Sequence, residues 1–329
     1  VGLKSLPDFR LTLGDDDLTA VVRDRLKTLT VTDNSGEESD TLEIVIDDRD
    51  NAVESPPRGR VLSVSMGYRD DGLFYLGKFT VDEVEPEGPP DIITIRAKAA
   101  DMREGLKVQR TRAFRNTTIG AIVSRIADEN GLQPAVATEL ASRVVTHRDQ
   151  ANESDLHFLT RLGREHGAVA APKDGKLVFA PTATGLSVSG QALTGVTLDR
   201  ADLTRWRAVQ ADRDEHGKVR ARWRDTGAGR TKFAEAGSGD PVKTLRNLYP
   251  NEAAAKAAAE AELTRLKGAE NGVELTMDGR ADIVAQTPIT VTGLRAELSG
   301  AWIVETAVHT QDYESSGFTT VLTGRRKAS

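Results

Sequence analysis

The chain has 329 residues, 38% of them hydrophobic and 29% charged, which sets it among folded, soluble proteins of two or three domains. It has no cysteine, so disulfides and thiolate metal sites are excluded together and no oxidising compartment is needed. The formal charge of −6 argues against a protein whose main work is gripping nucleic-acid phosphates, an affinity that comes from clustered Lys and Arg.

Six strands are predicted before residue 100. Period-two alternation and β-branched content mark 9–13, 26–33, 41–47, 60–68, 73–84 and 91–99. Breakers separate them, among them Asp33-Asn34-Ser35-Gly36, Asp70-Asp71-Gly72 and Pro86-Glu87-Gly88-Pro89-Pro90, where Gly and Asn tolerate turn backbones and Pro fixes φ. Strands at this spacing predict a small antiparallel barrel or sandwich.

The character changes near Asp101. Thr117 or Thr118 caps a helix whose apolar residues Ile119, Ile122, Val123 and Ile126 keep the helical period, and Asn130-Gly131 stops it. A second helix starts at Ser154, buries Leu156, Leu159 and Leu162 with Phe158 beside them, and ends at Gly167. Residues 168–171 and 176–180 then flank a turn at Lys173-Asp174-Gly175, which predicts a hairpin. The three pieces form a helix, helix, hairpin unit.

From Gly195 onward β patterning resumes. Arg220, Arg222 and Arg224 alternate with Ala221 and Trp223, which places three guanidinium groups on one strand face. A solvated face or an acidic partner suits them better than a nucleic acid, given the overall charge. Residues 224–240 are rich in Gly, Ala, Arg and Asp without periodicity, which predicts a mobile or partner-ordered loop. Asn251 caps the Ala-rich segment at about 252–267, a helix that approaches a neighbour closely but buries little area and is expected to lie across a barrel or a subunit contact.

Two stretches repeat. LEIVIDDR from Leu42 to Arg49 returns as VELTMDGR from Val273 to Arg280. Each is followed by a Pro (Pro57, Pro288), a strand ending in Gly (Gly67, Gly293), and an aromatic strand, FTVDEV from Phe79 and WIVETAV from Trp302. This is the pattern of one β module used twice. Two such modules per chain let a trimer present six around an axis and meet a six-fold ring.

Chemistry is harder to find. The histidines, His147, His157, His166, His216 and His309, include no zincin pair with Glu. GLSVSG (Gly185–Gly190) has the wrong spacing for a nucleophile elbow and predicts a turn and strand, and GAGRTK (227–232) lacks the spacing of a phosphate loop. Asp47-Asp48-Arg49-Asp50-Asn51 has the composition of a calcium loop without its Gly and distal Glu. Its partial recurrence at Asp278–Asp282 favours a turn in which Asp accepts backbone hydrogen bonds and Arg pairs with a carboxylate. No residue is assigned a catalytic, cofactor-binding or metal-binding role, and no cofactor is expected. The N-terminus has no signal pattern, and no apolar run reaches the roughly 18 residues of a membrane span. Assembly in the cytoplasm without membrane insertion is the expectation.

The runs TLTVTDNSGEESDTLEIVIDDRD, PDIITIRAKAADMR, NESDLHFLTRLGREHGAVAAPKDGKLVFAP, and GRADIVAQTPITVTG with GFTTVL together resemble the phage late control protein D family, the baseplate hubs of contractile tails. Ser154, Asp155, Phe158, Leu159, Arg161, Leu162 and Gly167 also match a pattern similar to the hub part of the VgrG spikes of type VI secretion. The likeness runs in order from about residue 9 to 324.

This resemblance implies a mainly β protein with an α+β insert. Residues 1–100 and 193–329 would be two related tube-type antiparallel β-barrel domains, the second carrying the Ala-rich helix, and 101–192 the helix-helix-hairpin insert, outside the ring. A homotrimer would then form a pseudo-hexameric ring between the hexameric tail tube protein and the trimeric spike protein. DNA or the tape measure protein would pass through its channel, and other baseplate proteins would contact its outside. The implied role is structural, within the virion tail. No fused lysozyme-like domain is expected, and the Gly-rich 224–240 stretch departs from relatives. The alternatives are a peptidoglycan hydrolase, which needs a carboxylate pair or metal in a cleft, and a receptor-binding tail protein, which has Trp206, Trp223 and Trp302 as stacking platforms.

Overall fold

The computed structural model describes residues 6–35, 38–54, 56–100, 104–173, 175–181, 194–210, 217–225, 227–269, 271–314 and 317–326. In the first hundred residues, alternating side chains make strands with one apolar face. Their order is β1 (Pro7–Leu13), β2 (Asp16–Asp17), a short helix α1 (Thr19–Arg23), β3 (Leu26–Asn34), β4 (Thr41–Asp47), β5 (Val61–Tyr68), β6 (Gly72–Glu87) and β7 (Ile92–Ala99). Hydrogen bonds arrange them as β3-β4-β7-β6-β5-β1, every neighbour antiparallel. The sheet rolls, so Leu29 and Val31 at one end share a core with Phe9 and Leu11 at the other. Each such side chain, fully buried, contributes about 1.5–3 kcal/mol. No ladder joins β1 to β3 among the described residues, so the roll is open rather than a hydrogen-bonded barrel.

Residues 104–181 build a second core. It contains α2 (Glu104–Lys107), β8 (Gln109–Thr118), α3 (Ile119–Glu129), β9 (Gln133–Val136), α4 (Thr138–Ala141), β10 (Val144–Ser154), α5 (Asp155–His166), β11 (Ala168–Lys173) and β12 (Lys176–Pro181). Thr118 caps α3 by accepting the Ala121 N–H, and Ser154 caps α5 by accepting that of His157. Gly167 ends α5 at φ 64°, a left-handed conformation that glycine adopts without strain. The two helices and the hairpin are those the sequence predicts, but they are not alone. β8 and β10 pair as a ribbon, and β9 adds to the hairpin in parallel with β12. The motif residues Phe158, Leu159 and Leu162 lie in this core, while Leu156 is only partly buried against it.

The last third returns to the first topology. After β13 (Val196–Asp199) and a 3-10 turn come β14 (Leu203–Gln210), β15 (Lys218–Asp225), β16 (Arg230–Gly237), β17 (Val242–Tyr249), α6 (Glu252–Ala269), β18 (Asn271–Asp278), β19 (Pro288–Thr292), β20 (Gly300–Asp312) and β21 (Gly317–Arg326). Setting β15, β16, β17 and α6 aside, the order is β14-β18-β21-β20-β19-β13, strand for strand that of the first sheet. The match extends to register. Leu42, Ile44 and Ile46 face Ala97, Ile95 and Ile93 as Val273, Leu275 and Met277 face Gly324, Leu322 and Thr320. A bulge follows Val81 in β6 and Val304 in β20, and another follows Leu26 in β3 and Leu203 in β14. Gly77 and Gly300 occupy equivalent places opposite Val64 and Val291, at φ 139° and 124°. Two differences stand out. β13 runs parallel to β19 where β1 is antiparallel to β5. The residue equivalent to Pro288 is Val61, not Pro57, because Leu62 faces Phe79 as Ile289 faces Trp302.

The insertion in the second sheet is larger than a lone Ala-rich helix, and residues 224–240 are not a structureless loop. Most of them form a hairpin, β15 with β16, and β17 pairs in parallel with β15 on its other edge. The α6 helix lies on this small sheet: Ala255, Ala258, Ala259 and Leu263 share a core with Val219, Ala221, Ala234 and Ala236. Alanine facing alanine lets helix and sheet approach closely. That also explains why β16 shows no hydrophobic period: its inward residues are alanines, which pattern reading counts as neutral.

Candidate assembly interface

The two sheets are one. β3 of the first pairs antiparallel with β20 of the second, residues 28–34 against 306–312, so thirteen strands among the described residues connect without a break. On the face away from the cores the side chains at this junction are mostly short and polar. Thr30 and Thr310 hydroxyls lie 3.3 Å apart, and the Thr306 hydroxyl donates to Asn34 Oδ1 at 3.2 Å. Backbone N–H groups beyond the ladder also cross: Ser35 donates to the Glu305 carbonyl at 2.8 Å and Tyr313 to the Lys27 carbonyl at 3.0 Å. Lys27 and Glu314 form an ion pair at the same end. Gln311, buried, donates to the Asp8 carbonyl at 2.7 Å. Phe318 and Ala281 from the second sheet lie in the first sheet's core.

Asp33 is where three parts of the chain meet. Its Oδ2 accepts the Ala285 N–H at 2.7 Å, and Lys173, from the hairpin of residues 168–181, forms an ion pair with its Oδ1. Lys173 also stands 3.6 Å from Asp40. Burial opposes the Lys173 charge, but the carboxylates of Asp33 and Asp40 outweigh it and hold the ammonium above its usual range. Burial, with the Asp33 charge, pushes Asp40 up to about 6. On β20, His309 is fully buried against Thr320 at 3.0 Å, and burial lowers it to about 4. A charged imidazole here would lose its hydration, so it is a neutral core group at pH 7.

The other sequence candidates fall apart in space. His147 pairs with Asp149 at an exposed edge, and His157 with Glu153. His166 is lowered to about 4 by burial and by Arg143 and Arg148. His216 and Gly185–Gly190 lie outside the described residues. Residues 227–229 turn the β15–β16 hairpin. The Asp47–Asp50 carboxylates are engaged as a turn requires: Asp47 accepts the Arg49 N–H, Asp48 the Val53 N–H, and Asp50 takes Arg25 in a two-bond pair. Arg280 and Asp282 form a two-bond pair within the second copy of this turn. Arg220 lies over the Phe233 ring at 4.9 Å and donates to Thr244, while Arg222 donates to the Arg246 carbonyl.

Sequence reading missed the junction itself. The available signal was in β20, where the alternation of Trp302–Val308 continues through His309 and Gln311 as buried polar residues. Polar groups at inward positions of a strand need partners, and here those partners lie on β1 and β21.

Comparison with known proteins agrees with the architecture. The chain is 36% identical to the probable baseplate hub protein of Escherichia phage 186 over 365 residues, covering 98% of this chain and 93% of that protein. Its fold is similar to the tail protein of Neisseria meningitidis MC58, with a TM-score of 0.73 at 11% identity, covering 97% of this chain and 96% of that one. It is also similar to an E. coli type VI secretion component described as resembling T4 tail proteins gp27 and gp5, with a TM-score of 0.56 at 14% identity, covering 100% and 76%. The sequence profile of the phage tail baseplate hub (GPD) family matches residues 41–314. The chain belongs to the phage tail baseplate hub (GPD) family.

Proposed function

We propose that this hub works as a symmetry adaptor. Three chains would form a ring of six similar modules, one face meeting the hexameric tail tube protein and the other the trimeric spike protein. Residues 1–100 and 193–329 would be the ring modules, with 101–192 outside, facing other baseplate proteins. The observation that carries this reading is the repeated strand order, with matching bulges, joined edge to edge by β3 and β20. Edge-to-edge joining of like modules inside a chain is what a ring of them needs between chains.

The face of the joined sheet away from the cores supports a channel role. Thr30, Thr32, Thr306, Thr310, Thr319 and Thr323 run across the join. Short uncharged side chains at the join would let DNA or the tape measure protein slide, and the flanking cations Arg96 and Lys98 on the same face are held by Glu43, Glu85 and Asp82. The role would be structural rather than enzymatic, in the virion tail, after assembly in the host cytoplasm.

Light scattering on the chain, alone and mixed with its spike, tests the reading. A species of three times 35.5 kDa, alone or carrying the spike, is expected. A chain that stays single and ignores the spike would overturn it.

A further inference from the structure

Within the chain β20 uses one edge twice. Residues 300–303 pair with β19, and residues 306–312 pair with β3. Its counterpart β6 uses the first part of the same edge, residues 72–80, to pair with β5. The rest of that edge, residues 83–87, pairs with no strand among the described residues. The counterpart of β3 is β14, which among the described residues pairs only with β18 and ends the sheet. The chain therefore holds one filled junction and the two separated halves of another.

We propose that β14 of one subunit adds to residues 83–87 of β6 in the next, repeating the β3–β20 junction between copies of the chain. This rests on the trimeric reading above and gives it a register. Thr30 is equivalent to Arg207, since they face Glu43 and Glu274. Thr310 is equivalent to Glu87, counted from the shared bulge. Thr30 faces Thr310 inside the chain, so Arg207 faces Glu87 of the neighbour. Arg205 then lies diagonal to Glu87, and Arg207 diagonal to Glu85, both within reach of long side chains.

Charge agrees with this register. Asp82, Glu83, Glu85 and Glu87 are exposed along the open part of β6, and Arg205 and Arg207 are exposed on β14. Arg96 partly neutralises the acids, holding Glu85 at 2.6 Å, while no ion pair engages either arginine of β14 among the described residues. Where the internal junction carries two threonines, the open one carries opposite charges. The same charges act against wrong pairings, because two β6 edges repel and two β14 edges repel. Pro86 stands where β20 has His309 and brings no N–H, so side-chain pairing carries more of the specificity there.

The chain has no cysteine, so a cross-link reports the register directly. Glu87→Cys with Arg207→Cys, oxidised in the concentrated full chain alone and with its spike, is expected to shift the 35.5 kDa band to three linked chains, reversed by reductant. Thr30→Cys with Thr310→Cys is the positive control and links within one chain. Trimers by light scattering whose Glu87/Arg207 cysteines stay reduced while the control pair oxidises would overturn this register and leave the trimeric reading standing. A monomer under every condition would overturn both. Either single cysteine alone must remain unlinked, since a disulfide dimer from one would mean that like edges meet. In the cysteine-free chain, Glu87→Arg or Arg207→Glu should each weaken self-association about tenfold, and the two together should restore it. A double variant as weak as the singles counts against the pairing.

Discussion

Asp82 and Glu305 occupy the same place in two sheets: each is the bulged residue of its long strand, and each pairs with a cation on the next strand, Lys98 and Arg325. Their surroundings differ. Lys98 and Asp82 are both more than half exposed, whereas Arg325 is only 14% exposed and its Nε lies 3.2 Å from Glu305 without hydrogen-bond geometry. Exposed pairs contribute little, while removing one partner of a mostly buried cation leaves it uncompensated. Glu305→Ala is therefore expected to cost about 1–2 kcal/mol, and Asp82→Ala to leave the melting temperature within scatter. Equal losses in thermal unfolding would show that the bulge, not burial, sets the value of the acid.

The second copy carries a constraint absent from the first. Gly279 donates to the Phe318 carbonyl at 2.9 Å as Asp48 donates to that of Asp91 at 3.0 Å. A Cβ on Gly279 would come within 2.0 Å of the Phe318 ring, which is packed between Tyr68 and His309. The glycine is needed for room. Gly279→Ala should cost about 1–3 kcal/mol by overpacking. In a Phe318→Ala background the same change should cost almost nothing, and a double-mutant cycle by denaturant unfolding measures the difference. Additive losses would mean that the ring and the glycine do not compete.

Much of this architecture was legible in the sequence. The repeat was visible because Leu42, Ile44 and Ile46 and their counterparts Val273, Leu275 and Met277 carry the same inward alternation, and the turn acids recur. Ser154 and Gly167 announced both ends of α5. What pattern reading lost was set by tertiary partners. The β16 strand looked like a loop because its inward alanines are apolar only in the presence of α6. The β3–β20 ladder was invisible because main-chain pairing over some 280 residues leaves no mark on local periodicity beyond the buried His309 and Gln311. The parallel β13 gave no signal, since four residues cannot declare a direction.

Asp40 and His309 titrate in opposite senses near the junction. Asp40 is raised to about 6, first by burial, against the pull of Lys173. The folded state thus keeps a proton that the unfolded chain releases near pH 4, so this group's stabilisation is full below about pH 4 and is lost as pH rises through about 6. Asparagine cannot ionise and keeps the acceptor for the Asn34 N–H. Asp40→Asn should match the parent at pH 4 and exceed it by about 2–3 kcal/mol at pH 7. His309, lowered to about 4 by burial despite Asp33 and Asp282, acts the other way, as does His166. Their contribution is present above about pH 6.5 and lost as pH falls to about 4. Urea unfolding at the two pH values separates the effects, because the Asn variant removes only the first. An Asp40→Asn difference that does not change with pH would refute the assignment.

Asp155 is the buried charge on which the insert depends. It is fully buried at the first turn of α5, where Arg112 and Arg110 pair with it and Gln150 donates to it at 2.8 Å. The helix N-terminus favours its charge as well. Asp155→Ala would remove the buried acceptor shared by Arg112, Arg110 and Gln150, leaving the arginines to Glu129 and the amide to the Glu153 carbonyl, a loss of about 3 kcal/mol. Because residues 104–181 have a core of their own, this loss should stay local. Hydrogen exchange of the variant should show α3, α5, β8 and β10 losing protection while β3 and β20 keep theirs. Joint loss across both sets would mean that the Lys173–Asp33 contact couples the insert to the sheet strongly enough to unfold them together.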